Sequence, residues 1–340
     1  MIILNYSIDF SEALQDINTK KYDRVLLQLP EGLKMKAASI LDELKQKTKA
    51  TIILAGDPCY GACDIPCVTS VQQLSIDAII QVGHTKIPSM NIPKALQVYF
   101  VNAQSNHIVD VVVKKSFACL DGKKIGVLTT AQHLHMLPQV CTLLKENGFQ
   151  PIISPGDSRI SDKGQILGCN FSSAENIKDC VDSFLFIGSG VFHPIGIHLA
   201  TQKPVIIADP YTQQVKKQEL KTIIHTILKQ RSAAIALAKQ SQVFGILIGL
   251  KPGQQRMHTA TELKKLLEKH QRKPLFITAE IITPQALQSF SEIDCFVSTA
   301  CPRIAIDDYI LYEKPIITPV ELQIAFNETT WESYLFDTFY

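Results

Sequence analysis

The chain has 340 residues, of which 46% are hydrophobic and only 19% charged, and its formal net charge is +2. That is enough apolar material for large buried sheets, and it excludes the low-hydrophobicity class of disordered chains. No Lys/Arg run supplies the basic stripe of a nucleic-acid surface, and no apolar run reaches the roughly 18 residues of a membrane span. Met1-Ile2-Ile3-Leu4 meets Asn5, Ser7 and Asp9 too soon for a secretory segment, so the expected location is the cytoplasm. Thiols stay reduced there, and the odd number of cysteines, nine, points to core fillers, ligands or catalysts rather than disulfides.

In chain order, Val25 to Leu29 is a short apolar strand that stops at Pro30-Glu31-Gly32. Leu33 to Lys47 follows as an amphipathic helix, with apolar residues at Leu33, Ala37, Ile40, Leu41 and Leu44. The strand Thr51–Ala55 ends at Gly56-Asp57-Pro58, and a helix around Ser70–Leu74 leads to the strand Ala78–Val82 and a stop at Gly83-His84. Leu96–Val101 closes the unit. The order then recurs. Ile125–Leu128 ends at Thr129-Thr130-Ala131-Gln132-His133, and a helix carrying Leu137, Val140, Cys141 and Leu144 stops at Asn147-Gly148. Strands at Pro151–Ile153, Phe184–Ile187 and Val205–Ala208 follow, ending at Gly156-Asp157, Gly188-Ser189-Gly190 and Asp209-Pro210. In the third pass Phe244–Ile248 ends at Gly249 and leads into Lys251-Pro252-Gly253-Gln254. A helix from Thr259 to Lys269 and strands at Leu275–Ile277, Cys295–Val297 and Pro315–Ile317 complete it.

Short continuous apolar strands alternating with amphipathic helices indicate buried parallel strands in βαβ units. The expected fold is therefore α/β: three similar βα domains, each with a small parallel sheet, in pseudo-threefold arrangement around a centre. The expected domains are residues 1–115, 116–215 and 216–340, with boundaries near Lys114-Lys115 and in the helical stretch Thr212–Gln242. One or two ordinary doubly wound domains would show a similar alternation. Gln323–Tyr340, aromatic and acidic without a period, reads as a docked tail.

Ligands of parallel α/β sheets bind outside the carboxyl ends of the strands. Cys63 follows the second strand of its unit, Cys169 follows the second strand of the next, and Cys301 follows the third strand of the last. Cys301 thus takes the place that His84 and His193 hold in the other units. Our reading is that the three loops face one pocket and that the three cysteines meet there and hold one metal cluster. A local alternative exists in Cys59, Cys63 and Cys67, whose C-x3-C-x3-C spacing resembles the C-x3-C-x2-C of ordinary radical S-adenosylmethionine enzymes. Its last gap is one residue too long, and Pro58 and Pro66 oppose a regular helix. Cys119, Cys141, Cys180 and Cys295 lie in or beside apolar segments and are expected to be inert and buried. The Gly188-Ser189-Gly190 turn before His193-Pro194 has exposed amides suited to a carboxylate or other anion. His133 and His135 do not share a helix face, and Asp307-Asp308 reads as a solvated helix start rather than an acid/base pair.

Several stretches in order carry a resemblance: Gly61-Ala62-Cys63-Asp64, Gly156-Asp157-Ser158-Arg159-Ile160, Gly164 to Asn170, Phe186 to Gly190 with Phe192-His193-Pro194, and Ala300-Cys301-Pro302-Arg303 with Asp307-Asp308. Pro30-Glu31-Gly32, Thr129 to His133, Asp209-Pro210-Tyr211 and Lys314-Pro315 extend it over nearly the whole chain, most weakly after Glu321. The pattern resembles the archaeal diphthamide-biosynthesis enzymes, the 2-(3-amino-3-carboxypropyl)histidine synthases. The resemblance implies three domains that each give one cysteine to a [4Fe–4S] cluster, by position Cys63, Cys169 and Cys301, leaving one iron without a protein ligand. It implies a homodimer, an electron donor, and transfer of the 3-amino-3-carboxypropyl group of S-adenosylmethionine to a histidine of translation elongation factor 2. The bond broken in that family is the one to the methionine γ-carbon, and no protein general base is needed before the radical adds, so no catalytic side chain is assigned. Gly188, Ser189, Gly190, His193 and Gln254 are the expected contacts to S-adenosylmethionine. Quinolinate synthase, also threefold with one cysteine per domain, is the rival enzyme, and a regulatory small-molecule-binding α/β protein is the non-enzymatic rival. The Ala300–Arg303 and Gly188–Pro194 stretches favour the diphthamide enzymes.

Overall fold

The structure is a computed structural model that describes residues 1–339, and Tyr340 of the expected tail lies outside the described residues. The chain opens with β1 (Ile2–Ile3) and β2 (Tyr6–Ile8). The first parallel sheet follows, with β3 (Arg24–Gln28), β4 (Thr51–Leu54), β5 (Ala78–Val82) and β6 (Gln97–Val101) in the spatial order β4-β3-β5-β6. β7 (Ala103–Ser105) then pairs antiparallel with β2 and closes a three-stranded sheet with β1. This small sheet was not expected, because strands of two and three residues are too short to show a hydrophobic period.

The second sheet holds β8 (Lys124–Thr129), β9 (Gln150–Ile152), β10 (Ser183–Ile187), β11 (Val205–Asp209) and β12 (Gln214–Lys216), in the order β12-β11-β10-β8-β9. All its pairs are parallel except that of β12, an antiparallel edge inside the stretch expected to be helical from Thr212. The helix proper runs over Gln218–Gln240. The third sheet holds β13 (Val243–Gly249), β14 (Lys273–Ala279), β15 (Cys295–Ser298) and β16 (Ile316–Ile317), all parallel, in the order β14-β13-β15-β16.

Each parallel sheet thus lays its second strand outside its first, then crosses to the other side for the third and fourth. The reversal leaves a crevice at the carboxyl ends of the first and third strands, where α/β sheets hold ligands. The central strands are buried on both faces, β5, β10 and β15 completely, which is why they read as unbroken apolar runs.

A second device also repeats three times. Asp77, just before β5, accepts the backbone N–H groups of Asp23 and Arg24 at the start of β3. Asp182 does the same for Lys123 and Lys124, and Asp294 for Gln242 and Val243. Each carboxylate satisfies amides that the first strand leaves open and fixes its register against the third. The paired N–H groups hold the Asp182 and Asp294 carboxyls below the usual carboxylate range.

The helix expected over Leu33–Lys47 is split into Glu31–Lys34 and Ala37–Lys45. The break turns Met35 out to solvent while Leu33, Ile40 and Leu44 stay in one core. The helix Asp110–Ser116 crosses the boundary expected near Lys115, but its Val112 and Val113 pack with β8, β10 and β11 and so group with the second sheet. The second and third sheets share one hydrophobic core across the Gln218–Gln240 helix, whereas the first sheet packs in clusters of its own. In that helix Arg231 is fully buried, donating two hydrogen bonds to Glu321 at 2.7 Å and one each to the carbonyls of Ala305 and Ile316. The tail packs rather than trails: after the helix Pro319–Ala325, Tyr334, Phe336, Asp337 and Phe339 are buried.

A folded-state pKa below the unfolded value near 4 stabilises the fold above that pH, and the contribution is lost as pH falls through the folded pKa. The double variant Asp182→Asn/Asp294→Asn keeps an oxygen acceptor at each site but no longer titrates. It is expected to lower Tm at pH 7 and to flatten the acid limb of a Tm-against-pH curve measured below about pH 4. An acid limb parallel to that of the unaltered chain would show that these carboxylates contribute nothing.

Candidate functional site

The loops at the carboxyl ends of the three sheets interlock. Cys63 lies in the loop after β4, Cys169 in the loop after β9 and Cys301 in the loop after β15. His84, after β5, and His193, after β10, hold the equivalent third-strand position to Cys301. The Cys63 loop is held from two directions. The Asp64 carboxylate accepts the Tyr60 N–H at 2.6 Å and closes the turn around Cys63. Its other oxygen accepts Lys251 Nζ at 2.6 Å and Gln254 Nε2 at 3.1 Å from the loop after β13. Lys251 is 8% and Asp64 2% exposed, so the pair is desolvated. Gln254 also donates to Cys63 Sγ at 3.5 Å. Between them, Gly253 lies so close to the Cys63 backbone that a Cβ there would stand 2.5 Å from Cys63 Cα. Only glycine permits that approach.

On the second unit, Arg159 Nη2 reaches Cys169 Sγ at 4.0 Å. Gln165 Nε2 donates to Thr85 Oγ1 at 2.6 Å and the Ser89 N–H to the Ser158 carbonyl at 2.9 Å, tying this loop to the first unit. The Arg303 guanidinium, two residues past Cys301, lies 5.0 Å over the Phe192 ring and ties the third unit to the second.

The three thiols feel one another. Burial pushes Cys63 well up, and the Asp64, Cys169 and Cys301 charges push it further. Burial pushes Cys301 up to about 12, with Cys169 adding to the shift. Burial also raises Cys169, against the opposing pull of Arg159. Among the described residues, no three His, Cys, Asp or Glu close to the span of a single metal ion. Three buried thiols near enough to raise one another's pKa are a soft donor set of the kind that iron–sulfur clusters use. The N–H donors at Cys63 and Cys169 suit thiolates, and Arg159 Nε is buried with no protein partner.

The local Cys59/Cys63/Cys67 set does not converge in this way. Cys59 is buried with its Sγ 3.9 Å from His84 Nδ1, and burial pushes its thiol up to about 12. Cys67 stands at the position before the helix Val68–Gln73, and its Sγ meets Ser70 Oγ at 3.1 Å. Of the four cysteines expected to be inert and buried, Cys295 is in the core and Cys119 and Cys141 are half-buried, but Cys180 is exposed. The short turn Lys178–Cys180 turns it outward, just before the strand β10 that the apolar pattern marks.

The expected cofactor contacts fall on two flanks. Ser189 and Gly190 are exposed on the turn after β10, and Gly190 has φ +79°, which suits glycine. His193 stacks on Phe186 at 6.0 Å and borders the Cys169 loop, its Nε2 3.8 Å from where a Cβ on Gly168 would stand. Burial, with the Arg303 charge, lowers its pKa to about 4, so it is neutral at pH 7. Gln254 spends its amide on Cys63 and Asp64 and so braces the Cys63 loop. Asp307 pairs with Arg303 at 2.6 Å. Lys251, Arg159 and Arg256 were missed as site residues, although Lys251 and Arg159 stand in the motifs. Their only signal was a charge within a few residues of a loop glycine, which by itself does not separate a buried group from a solvated one. A cleft of about 900 Å³ lies elsewhere, along β6 and the helix Ser11–Lys20, and none of the three cysteines lines it.

The diphthamide synthesis protein family matches residues 29–335. The 2-(3-amino-3-carboxypropyl)histidine synthase of Pyrococcus horikoshii is 36% identical, over 98% of this chain and 93% of that protein. The synthase of Methanocaldococcus jannaschii is 31% identical over the same shares, and subunit 1 of the Caenorhabditis elegans synthase is 30% identical over 95% of this chain and 81% of its own. The crystal structure of Dph2 from Pyrococcus horikoshii with a 4Fe–4S cluster superposes with a TM-score of 0.87 at 35% identity, covering 98% of this chain and 94% of that one.

Gly253→Ala is expected to force the Cys63 loop away from the other two thiols. Iron bound after anaerobic reconstitution should fall by more than half while Tm stays within a few degrees, because the clash is confined to one loop. Full iron uptake by this variant would show that the close approach does not set the position of Cys63.

Proposed function

Because the chain belongs to the diphthamide synthesis protein family, we propose that it transfers the 3-amino-3-carboxypropyl group of S-adenosylmethionine to a histidine of translation elongation factor 2. What supports this reading is the family match, together with the placing of Cys63, Cys169 and Cys301 in loops at the carboxyl ends of three different sheets. In it, the three thiolates hold a [4Fe–4S] cluster. When bound, the cluster supplies one electron and an iron open to the sulfonium, so that the bond from sulfur to the methionine γ-carbon breaks. Over a whole turnover the sulfonium loses its carbon substituent, the imidazole carbon gains it and gives up a proton, and no net electron is consumed.

The chain's own groups have three tasks in this scheme. Gln254 and Arg159 donate to the Cys63 and Cys169 sulfurs and fix where the thiolates point. Of the expected turn amides, that of Gly188 is already spent on the Ala208 carbonyl at 3.1 Å, so the exposed Ser189 and Gly190 receive the anionic end of S-adenosylmethionine, beside a neutral His193. The interlocked loops keep water from the reacting carbon and align it behind the sulfur, so that the choice of bond becomes a matter of position. The working form is a homodimer that receives electrons from a separate donor.

Cys63→Ala, Cys169→Ala and Cys301→Ala are each expected to lose or degrade the cluster, while Cys59→Ala keeps about four irons per chain. Iron and sulfide analysis with EPR of the dithionite-reduced protein reads this directly. A cluster that survives all three substitutions, or that depends on Cys59 and Cys67, would remove the reading. Ser189→Pro deletes one amide of the turn and should weaken S-adenosylmethionine binding about tenfold by calorimetry with iron content unchanged. Equal affinity would take the turn out of the site.

A further inference from the structure

We propose that the C-terminal segment 336–339 is a strap that positions Cys169 and ties its loop to the loop that braces Cys63. This rests on the reading of Cys169 as a ligand and goes beyond it, because the family match ends at residue 335. Both backbone polar groups of Phe339 are spent on the Cys169 loop. Its N–H donates to the Cys169 carbonyl at 2.7 Å, and its carbonyl accepts Asn170 Nδ2 at 2.7 Å. Asn170 is fully buried and also donates to Asp157 Oδ2 at 2.8 Å, so the strap and the turn beginning at Gly156 are clamped to one side chain.

The side chains complete the tie. The Phe339 ring lies under two guanidiniums, Arg159 at 5.0 Å and Arg256 at 4.3 Å. Arg159 is the donor that reaches Cys169 Sγ. Asp337 is 3% exposed and forms an ion pair with Arg256, which stands two residues past Gln254. Phe336 is 2% exposed and stacks on Phe192 at 5.1 Å, the ring that carries Arg303. These ties lead to Cys169 itself, to Asn170 beside it, to Arg159 at its sulfur and to Arg256 two residues past Gln254. Without the strap, the Cys169 carbonyl and Asn170 amide lose a partner, Arg256 loses its counter-charge, and the Arg159 guanidinium loses the ring that holds it toward the sulfur.

The test compares the full chain, a variant lacking residues 336–340, and Phe339→Ala. In metal-free protein, iodoacetamide labelling of each cysteine is followed by peptide mass spectrometry. Cys169 is expected to label about tenfold faster without the strap and several-fold faster in Phe339→Ala, with Cys63 changed less than twofold. In iron-loaded protein, iron release to a chelator should quicken in the same order. Unchanged Cys169 labelling, or an equal rise at all three cysteines, overturns the strap. Phe339→Ala decides by the same criterion if the shortened chain does not fold. An unaltered chain that takes up no iron would instead defeat the ligand reading, leaving the labelling comparison to judge the strap alone.

Discussion

The buried pair Asp64–Lys251 is the constraint on which the site depends. The second and third sheets are fused by a common hydrophobic core, but the first is not. It meets them through its loops, and Asp64 is where it meets the third unit. A buried charge without its partner is strongly destabilising, whereas the pair itself adds little to net stability. The pair therefore acts as a register device: the first unit can dock only where both charges are satisfied, and Cys63 is the next residue along. The Gly253 contact makes that docking close, and the Tyr60–Asp64 bond makes the loop stiff.

The same logic operates further from the site. Arg231 and Glu321 form a second desolvated pair, in which Glu321 also closes the capping box at Thr318 and accepts the Tyr334 hydroxyl. One carboxylate thus aligns the long helix, the last helix and the start of the tail. Arg231 also binds the carbonyl of Ala305, four residues past Cys301, so the pair also holds the short helix Arg303–Ile306 that follows the Cys301 loop. Nonpolar packing gives each unit its cohesion, and a few buried charges decide how the units face one another.

The three sheets were legible in the sequence because their central strands are buried on both faces and read as apolar runs between glycine or proline stops. The strands in chain order, and the loop in which each cysteine lies, could be read from the repeat, but the spatial order of the strands could not. Other features were not legible, for identifiable reasons. β1, β2 and β7 are shorter than any period. β12 is an edge strand, with polar Gln214 and Lys216 around Val215, next to a helix of similar composition. The break at Met35-Lys36 has no proline or glycine to announce it. The aspartates before β5, β10 and β15 were visible as Ile76-Asp77, Val181-Asp182 and Ile293-Asp294 and could have been read as a third repeat. Lys251 was visible too, but a lysine in a loop is ordinarily solvated, and nothing local says that this one is buried against Asp64. Long-range partners of charges are the information that periodicity does not carry.

Drawing one thiol from each sheet has a structural consequence that a local motif would not. Cys59, Cys63 and Cys67 share a single loop, and a cluster held there would survive the separation of the units. Instead Cys59 is turned toward His84 and Cys67 is committed to a helix start. In the proposed site Cys63, Cys169 and Cys301 come from loops of three different sheets, so the site needs all three units docked. Ligand binding and domain docking are then one equilibrium, because whatever binds only the assembled site stabilises the assembly. An alteration at a remote interface, such as the Arg231–Glu321 pair, should be felt at the thiols as a change in their spacing. A group bound by the thiols should in turn tighten an interface that involves none of them.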